Sequence, residues 1–427
     1  MEKIYVVGGN RLEGEVKISG SKNGTLGIMA GTLLAKGTTI LENVPDIGDI
    51  NTMVEMLRQL GVQTRVSGAG RVEIDATEIK SNEAPYDLVK KMRASFSVAG
   101  PLLARFGYVK VPMPGGCDIG ARPVDFHVKG LQALGAKVSI EHGYVEAEAE
   151  RLKGAKIYLD LPSTGATQHI MTSACLAEGT TCIENAALEP EVVELANFLT
   201  AMGAKISGAG TSTIQVEGVD ELHGIRYRVL PDRMEAGTFA IAAGVTGGDV
   251  TLVNAIPGHC SAVFQKLREA GIRVTSGPES VRVTSGRRPV AIDIKTMPHP
   301  GFPTDMQQPF VAMLTVADGT SVVTENMYER RFKYVAELQR MGADIVHEGR
   351  TAIVKGVPKL TGAEVTATDL RAGAAMIVAG LAAEGRTEIS GVAHIDRGYE
   401  DIVGKLASLG ASIIRRKTAP EAAAKLA

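Results

Sequence analysis

The chain has 427 residues, 46 basic and 48 acidic side chains, a formal charge of −2, 44% hydrophobic and 22% charged residues. This length exceeds one ordinary core and implies two or three compact units, while the balanced charge lacks the concentrated basic surface of a general nucleic-acid binder. The longest apolar runs, such as Ala374 to Ala383, fall far short of the ~20 residues of a membrane span, so no membrane association is expected.

In chain order, "MEKIYVVGG" reads as a strand rather than a signal peptide, which implies a cytoplasmic location, and "GEVKIS" supplies a second strand. A unit then recurs six times. "LLAKGTTILENV", "LLARFGYVKVPM", "CLAEGTTCIENA", "GVTGGDVTLVNA", "LTVADGTSVVTEN" and "GLAAEGRTEISGV" each end an apolar helix, turn on glycine and continue as a strand. An amphipathic helix follows each time and closes on Gly61, Gly135, Gly203, Gly271, Gly342 or Gly410, at intervals of 74, 68, 68, 71 and 68 residues. Glycine suits the left-handed backbone that ends a helix. Two further strands follow in five of the six units, giving an α/β fold of repeated βαβαββ-type units. The last unit breaks off after "SIIRR", so Met1 to Ile18 is expected to complete its sheet, and the tail from Lys417 lies outside the pattern. Three repeats per domain divide the chain into residues 22–230 and a discontinuous domain of residues 1–21 with 231–427.

Equivalent positions in the repeats can be compared with one another. The opening turns of the first helices carry Lys22, Arg93, Arg233, Asp305, Asp369 and Arg371; those of the second carry Asp49, Arg122, Glu191, His259, Arg331 and Arg397. The positive end of a helix dipole accounts for Asp49 and Glu191 but disfavours lysine and arginine, unless an anion sits there on free backbone N–H groups. One such arginine is equally well a solvated surface charge. Recurrence at equivalent ends points instead to a cleft between the domains, lined by Lys22, Arg93, Arg122, Arg331, Arg371 and Arg397, for a polyanionic ligand. Asp305 and Asp369, set among these cations, are expected to stay ionised and to accept a substrate proton, or simply to cap helices.

The four cysteines fit neither a disulfide framework nor a zinc site, so reduced thiols and no metal are expected. Cys175 and Cys182 read as core. Cys260 beside His259 lacks a third orienting group. Cys117 differs, because Gly107 to Gly135 spans 28 residues where the other units need 23 to 25. The insertion, in a loop of about residues 112–122, places "PGGCDIGA" on glycine hinges beside Arg122, as a lid that delivers a thiol with a lowered pKa.

"SGSKNG", "MRASF", "PGGCDIGARPVD", "HPGFPTDMQ", "ENMYERRF", "ATDLRAG" and "HIDRGYE" resemble the signature segments of the UDP-N-acetylglucosamine 1-carboxyvinyltransferase family, from about Val7 to Arg415. The Gly-Gly-Cys loop distinguishes this branch from the sister enolpyruvyl transferase of the shikimate pathway. The resemblance implies an inside-out α/β barrel of two domains with three units each, and transfer of the enolpyruvyl group of phosphoenolpyruvate to the sugar 3′-hydroxyl without metal or organic cofactor, as a monomer or weak homo-oligomer. It further implies that Lys22, Asn23, Arg122 and Arg397 hold phosphoenolpyruvate. Arg93, the run Arg122, Pro123, Val124, Asp125, Phe126, and Ser163, Thr164, Gly165 would contact the nucleotide. Asp305 would take the hydroxyl proton with Met327 near the sugar, and Arg331, Asp369 and Arg371 would organise the cleft. Cys117 would act as proton donor or in product release, and would be the target of the epoxide fosfomycin. Leu161 departs from the family, many of whose members carry lysine there. The alternatives are enolpyruvyl transfer to shikimate 3-phosphate, a non-catalytic relative that senses the nucleotide sugar, and a ring-shaped nucleic-acid clamp, which the near-neutral charge disfavours.

Overall fold

Six glycines set the rhythm of the backbone. Gly61, Gly135, Gly203, Gly271, Gly342 and Gly410 adopt φ of +90°, +91°, +112°, +83°, +90° and +95°, so each anticipated helix end is a left-handed turn that a side chain would strain. The computed structural model describes residues 2–68, 70–114 and 124–417. The Cys117 loop, with Arg122 and Pro123, and the tail from residue 418 lie outside the described residues.

The two helices of a unit have different environments. The first helices, among them Lys22–Gly31, Thr164–Ala174, Arg233–Val245 and Leu370–Ala382, are buried around nearly their whole circumference, which suits the small side chains that recur in them and, in Leu370–Ala382, an almost wholly apolar sequence. Of the second helices, Gly48–Gln59 and Ser261–Glu269 bury one stripe, while Pro190–Ala201 is buried on most sides. Two buried clusters result. One gathers residues from Leu26 to Val229; the other joins Ile4–Ile18 to residues from Met234 to Ile413. No helix among the described residues is long and apolar enough to cross a membrane.

The sheets show how the chain closes on itself. Glu2–Val7 lies between Arg386–Ser390 and Ser412–Lys417, antiparallel to both, with Tyr5 opposite Glu388 and Ile414. The N-terminus therefore does fill the last unit's sheet, but only with this one strand. The second strand, Glu13–Lys17, instead pairs parallel with Asp249–Val253 of the fourth unit, and Lys417 belongs to the last strand rather than to the tail.

The same device recurs as a feature not anticipated from sequence: a short parallel edge strand carried over from the preceding unit. Lys156–Tyr158 joins Thr180–Glu184, Ile294–Lys295 joins Thr320–Thr324, Glu364–Thr366 joins Arg386–Ser390, and Arg226–Arg228 returns to Thr38–Glu42. An asparagine clamps several of these edges. Asn43, Asn185 and Asn254 take left-handed φ of 60°, 54° and 54°, and their amides donate to Val229 O, Leu159 O and Ile18 O at 2.8, 2.7 and 2.7 Å.

Val6 sits on the inserted strand with 0% exposure, whereas Val7 is 43% exposed. Val6→Asp buries an unpaired charge and is expected to cost roughly 3 kcal/mol or more, against less than about 0.5 kcal/mol for Val7→Thr. Thermal unfolding of the two variants checks the difference.

Candidate active site

The sequence left Asp49 to the helix dipole; the structure gives it two cationic partners. Its carboxylate, with the side chain 5% exposed, receives Lys22 Nζ at 3.2 Å and Arg397 Nε at 2.8 Å. Lys22 opens the helix Lys22–Gly31, and Arg397 follows the short helix Val392–Asp396. Burial would raise the Asp49 carboxyl, but Lys22 and Arg397 outweigh it and hold the group below its ordinary 3.8. Lys22 is also fixed through its backbone, whose N–H donates to Asp232 Oδ2 at 2.9 Å. Asn23 is exposed beside it.

A second cluster forms around Asp305. Arg331 donates to Oδ1 at 2.8 Å and Arg371 to Oδ2 at 3.1 Å. The arginine side chains are 2% and 4% exposed, and that of Asp305 is 27% exposed, so the carboxylate is the part that faces outward. Buried Glu325 supports it, accepting from Thr304 Oγ1 at 2.9 Å and from Met327 N–H at 2.8 Å. Asp369 has the cap geometry weighed from its sequence: it accepts from the Arg371 and Ala372 N–H groups at 2.9 and 3.1 Å, and from Gln308 Nε2 at 3.2 Å. Tyr399 connects the clusters, since its hydroxyl accepts from Arg371 at 3.1 Å and the adjoining Gly398 lies against the Lys22 side chain, 3.2 Å from a Cβ built there.

A third group collects around His127. Val124 is buried at the start of the helix Asp125–Ala133, with Asp125 exposed and Phe126 half-buried. Ser163 caps Thr164–Ala174 by accepting from Ala166 N–H at 3.3 Å, and a Cβ on Gly165 would touch the His127 ring at 3.5 Å. Arg93, at the start of the 3₁₀ turn Arg93–Val98, acts on the same histidine. Burial, then His169 and Arg93, hold His127 well below its ordinary value and so keep it neutral. Leu161 is 65% exposed close by in the chain.

Several expectations need correction. Arg331 and Arg397 lie in turns rather than at helix openings, so no dipole opposes them. The cations do not stand free, because Asp49 and Asp305 engage four of them. Glu191 pairs with Arg233 at 2.8 Å instead of serving only the dipole. Cys182 is half-buried rather than core, while burial pushes Cys175 and Cys260 up to about 12. The partners Asp49, Glu191, Asp232, Glu325, Gln308 and Tyr399 were missed as site residues.

A family model described as EPSP synthase (3-phosphoshikimate 1-carboxyvinyltransferase) matches residues 6–406. Proteins named UDP-N-acetylglucosamine 1-carboxyvinyltransferase are similar along nearly the whole chain. One from Caldanaerobacter subterraneus subsp. tengcongensis is 55% identical, covering 95% of this chain and 97% of its own, and one from Geotalea uraniireducens is 54% identical, covering 97% and 99%. The chain belongs to the UDP-N-acetylglucosamine 1-carboxyvinyltransferase branch of the EPSP synthase family. Among solved structures, the enolpyruvyl transferase NikO from Streptomyces tendae superposes with a TM-score of 0.88 at 26% identity, covering 98% of this chain and 99% of its own. EPSP synthase from Acinetobacter baumannii, at 20% identity over 98% of this chain and all of its own, shares the mixed α/β fold with a TM-score of 0.76. In this family setting, the Asp49 junction joins residues that the two separate cores hold in place.

Because the Asp49 carboxyl lies below its unfolded value, its stabilising effect is complete above about pH 4 and is lost as pH falls through the folded value. Asp49→Asn removes that dependence. The urea midpoint of the wild type is expected to fall more steeply below about pH 4 than that of the variant; parallel curves would exclude the ion pair as the cause.

Proposed function

We propose that the enzyme transfers the enolpyruvyl group of phosphoenolpyruvate to the 3′-hydroxyl of UDP-N-acetylglucosamine, releasing phosphate through a tetrahedral addition intermediate in the first committed step of peptidoglycan synthesis. One observation carries this reading beyond the family: Lys22 and Arg397, attached to different cores, share the single carboxylate of Asp49. Two cations on one anion leave a positive charge to be matched, at a place where a ligand would draw the two cores together. Both substrates are polyanions.

In this reading the cores correspond to domains of residues 22–230 and of residues 1–21 with 231–427, each built of three units as an inside-out α/β barrel; the two buried clusters support the division. Lys22, Asn23 and Arg397, with Arg122, hold phosphoenolpyruvate and meet the charge of the intermediate. Arg93, Val124, Asp125, Phe126, Ser163, Thr164 and Gly165, with Pro123, take the nucleotide, and their grouping around a neutral His127 supports this. Asp305 accepts the 3′-hydroxyl proton; its outward position between Arg331 and Arg371 supports that role, and Met327 borders the sugar. Cys117 donates the proton to the enolpyruvyl carbon or assists product release. The enzyme works in the cytoplasm as a monomer or weak homo-oligomer.

Phosphate release from phosphoenolpyruvate tests the reaction: it is expected with UDP-N-acetylglucosamine as acceptor and not with shikimate 3-phosphate. The reverse preference would return the chain to the sister activity, and release with neither would favour a non-catalytic sensor.

The internal comparison gives a second test, since Arg397 and His259 occupy matching places in their units. Lys22→Ala and Arg397→Ala are expected to lower kcat roughly 10²- to 10³-fold, as removal of a group facing developing charge does, and His259→Ala to change it little. Asp305→Asn should bind both substrates, measured by calorimetry, yet turn over slowly.

A further inference from the structure

Two chain crossings join the cores, and they lie side by side. Gly20 and Pro231 form an antiparallel bridge, flanked by Ser21 N–H donating to Leu230 O at 2.7 Å and Asp232 N–H donating to Ser19 O at 2.8 Å. Each crossing is also held by one buried glutamate. Glu194, 1% exposed on the helix Pro190–Ala201, accepts from Leu230 N–H at 2.6 Å. Glu235, 3% exposed on Arg233–Val245, accepts from Ser19 N–H at 3.1 Å.

The two carboxyls have opposite surroundings. Lys405 Nζ lies 2.5 Å from Glu235 Oε1 and also donates to Ser19 Oγ, whose hydroxyl meets Glu400; Asp232 is the other charge facing Glu235. Glu194 is faced by acidic groups. Glu191 lies on its own helix with its charge taken up by Arg233, and Asp232 lies at the crossing. Tyr227 donates only to the Glu194 backbone carbonyl, and the helix Lys22–Gly31 approaches the carboxyl at Gly24, where a Cβ would stand 2.1 Å from Oε2. Burial raises both carboxyls to about 7; Glu191 and Asp232 add to the effect at Glu194, and Lys405 opposes it at Glu235.

We infer that Glu194 and Glu235 are the positioning residues of this double crossing, Glu194 as a neutral acid and Glu235 as a carboxylate. A neutral Glu194 accepts the Leu230 N–H without repelling its neighbours. Ionised, it would stand unpaired beside Glu191 and Asp232, and Asp232 is the group that caps Arg233–Val245 and holds the Lys22 N–H. Strain at Glu194 thus reaches Lys22 through one residue. Glu235 needs its charge, because Lys405 would otherwise lose its buried partner. The inference goes beyond the reaction proposed above and relies on it only for the kinetic readout.

Hydrogen exchange of peptides spanning residues 17–22 and 228–233, in the substrate-free full chain and corrected for intrinsic rates, tests it directly. From about pH 5 to about pH 7, where Glu194 holds its proton in the closed state and loses it on opening, the wild-type protection at residues 228–233 is expected to fall by up to roughly tenfold per unit and to level off once Glu194 is ionised in both states, while Glu194→Gln lacks this fall. Glu235→Gln should lose protection at residues 17–22 at every pH, and Lys405→Met should reproduce that loss should the first variant fold poorly. A Glu194→Gln protein that keeps the wild-type slope, or wild-type protection in both Glu235→Gln and Lys405→Met, overturns the assignment. In phosphate-release kinetics Glu194→Gln should remove an alkaline decline of kcat with KM unchanged, whereas a merely structural role lowers kcat equally across pH. If these substrates do not turn over, the exchange experiment still decides.

Discussion

A charge withdrawn from water must find its opposite close by, and Asp49 meets that condition by reaching across the junction of two cores. Its carboxylate is nearly sealed, so losing either Lys22 or Arg397 would leave an inadequately compensated buried ion, a change that typically costs several kcal/mol. That requirement fixes neighbours in turn. Lys22 stays in register because Asp232 holds its N–H, and Arg397 because Gly398 and Tyr399 pack against Lys22 and Arg371. Arg371 then reaches Asp305. The candidate site is two ion-pair clusters, around Asp49 and Asp305, joined through Gly398 and Tyr399.

Much of the scaffold was legible because its determinants are local. A left-handed helix end needs glycine, and six such ends at near-constant spacing reveal the repeat without any contact being known. The parallel edge strands were not legible, since segments of two or three residues carry no periodicity. Their signal lay elsewhere, in the asparagine that ends "TILEN", "CIEN" and "TLVN", whose left-handed backbone and amide clamp the neighbouring chain. Lys22 and Arg371 were legible as residues that a helix start disfavours, whereas Arg331 and Arg397 were singled out on the same ground although they lie in turns. Their partners were not, because Asp49 and Glu191 had a sufficient local explanation, while Arg397 lies 348 residues from Asp49. Long-range pairing leaves no trace in spacing.

Equivalent places in the repeats also show how one scaffold is made to prefer a single site. Lys22 and Arg233 both open a first helix, and Asp49 and Glu191 both stand second in the helices Gly48–Gln59 and Pro190–Ala201. Around Arg233 the ledger is one cation facing two carboxyl groups, Glu191 in direct contact and Glu189 nearby, with His259 and His299 held below their ordinary values, chiefly by burial. Around Lys22 a second full cation is added. Equal frames, unequally charged, favour an anion at one place.

The inserted strand Glu2–Val7 has a consequence in time. During synthesis it is made long before its partners, Arg386–Ser390 and Ser412–Lys417. The buried cluster from Leu26 to Val229, with the sheets that cover it, is already synthesised when little more than half of the 427 residues exist. At the ~5–20 residues per second of translation, the inserted strand waits some tens of seconds for its partners. Its alternation, with Ile4 and Val6 apolar and Lys3 and Tyr5 turned to the other face, leaves a β-forming segment unpaired throughout. Vectorial synthesis therefore separates this strand from its partners in time, a delay that refolding from denaturant does not impose.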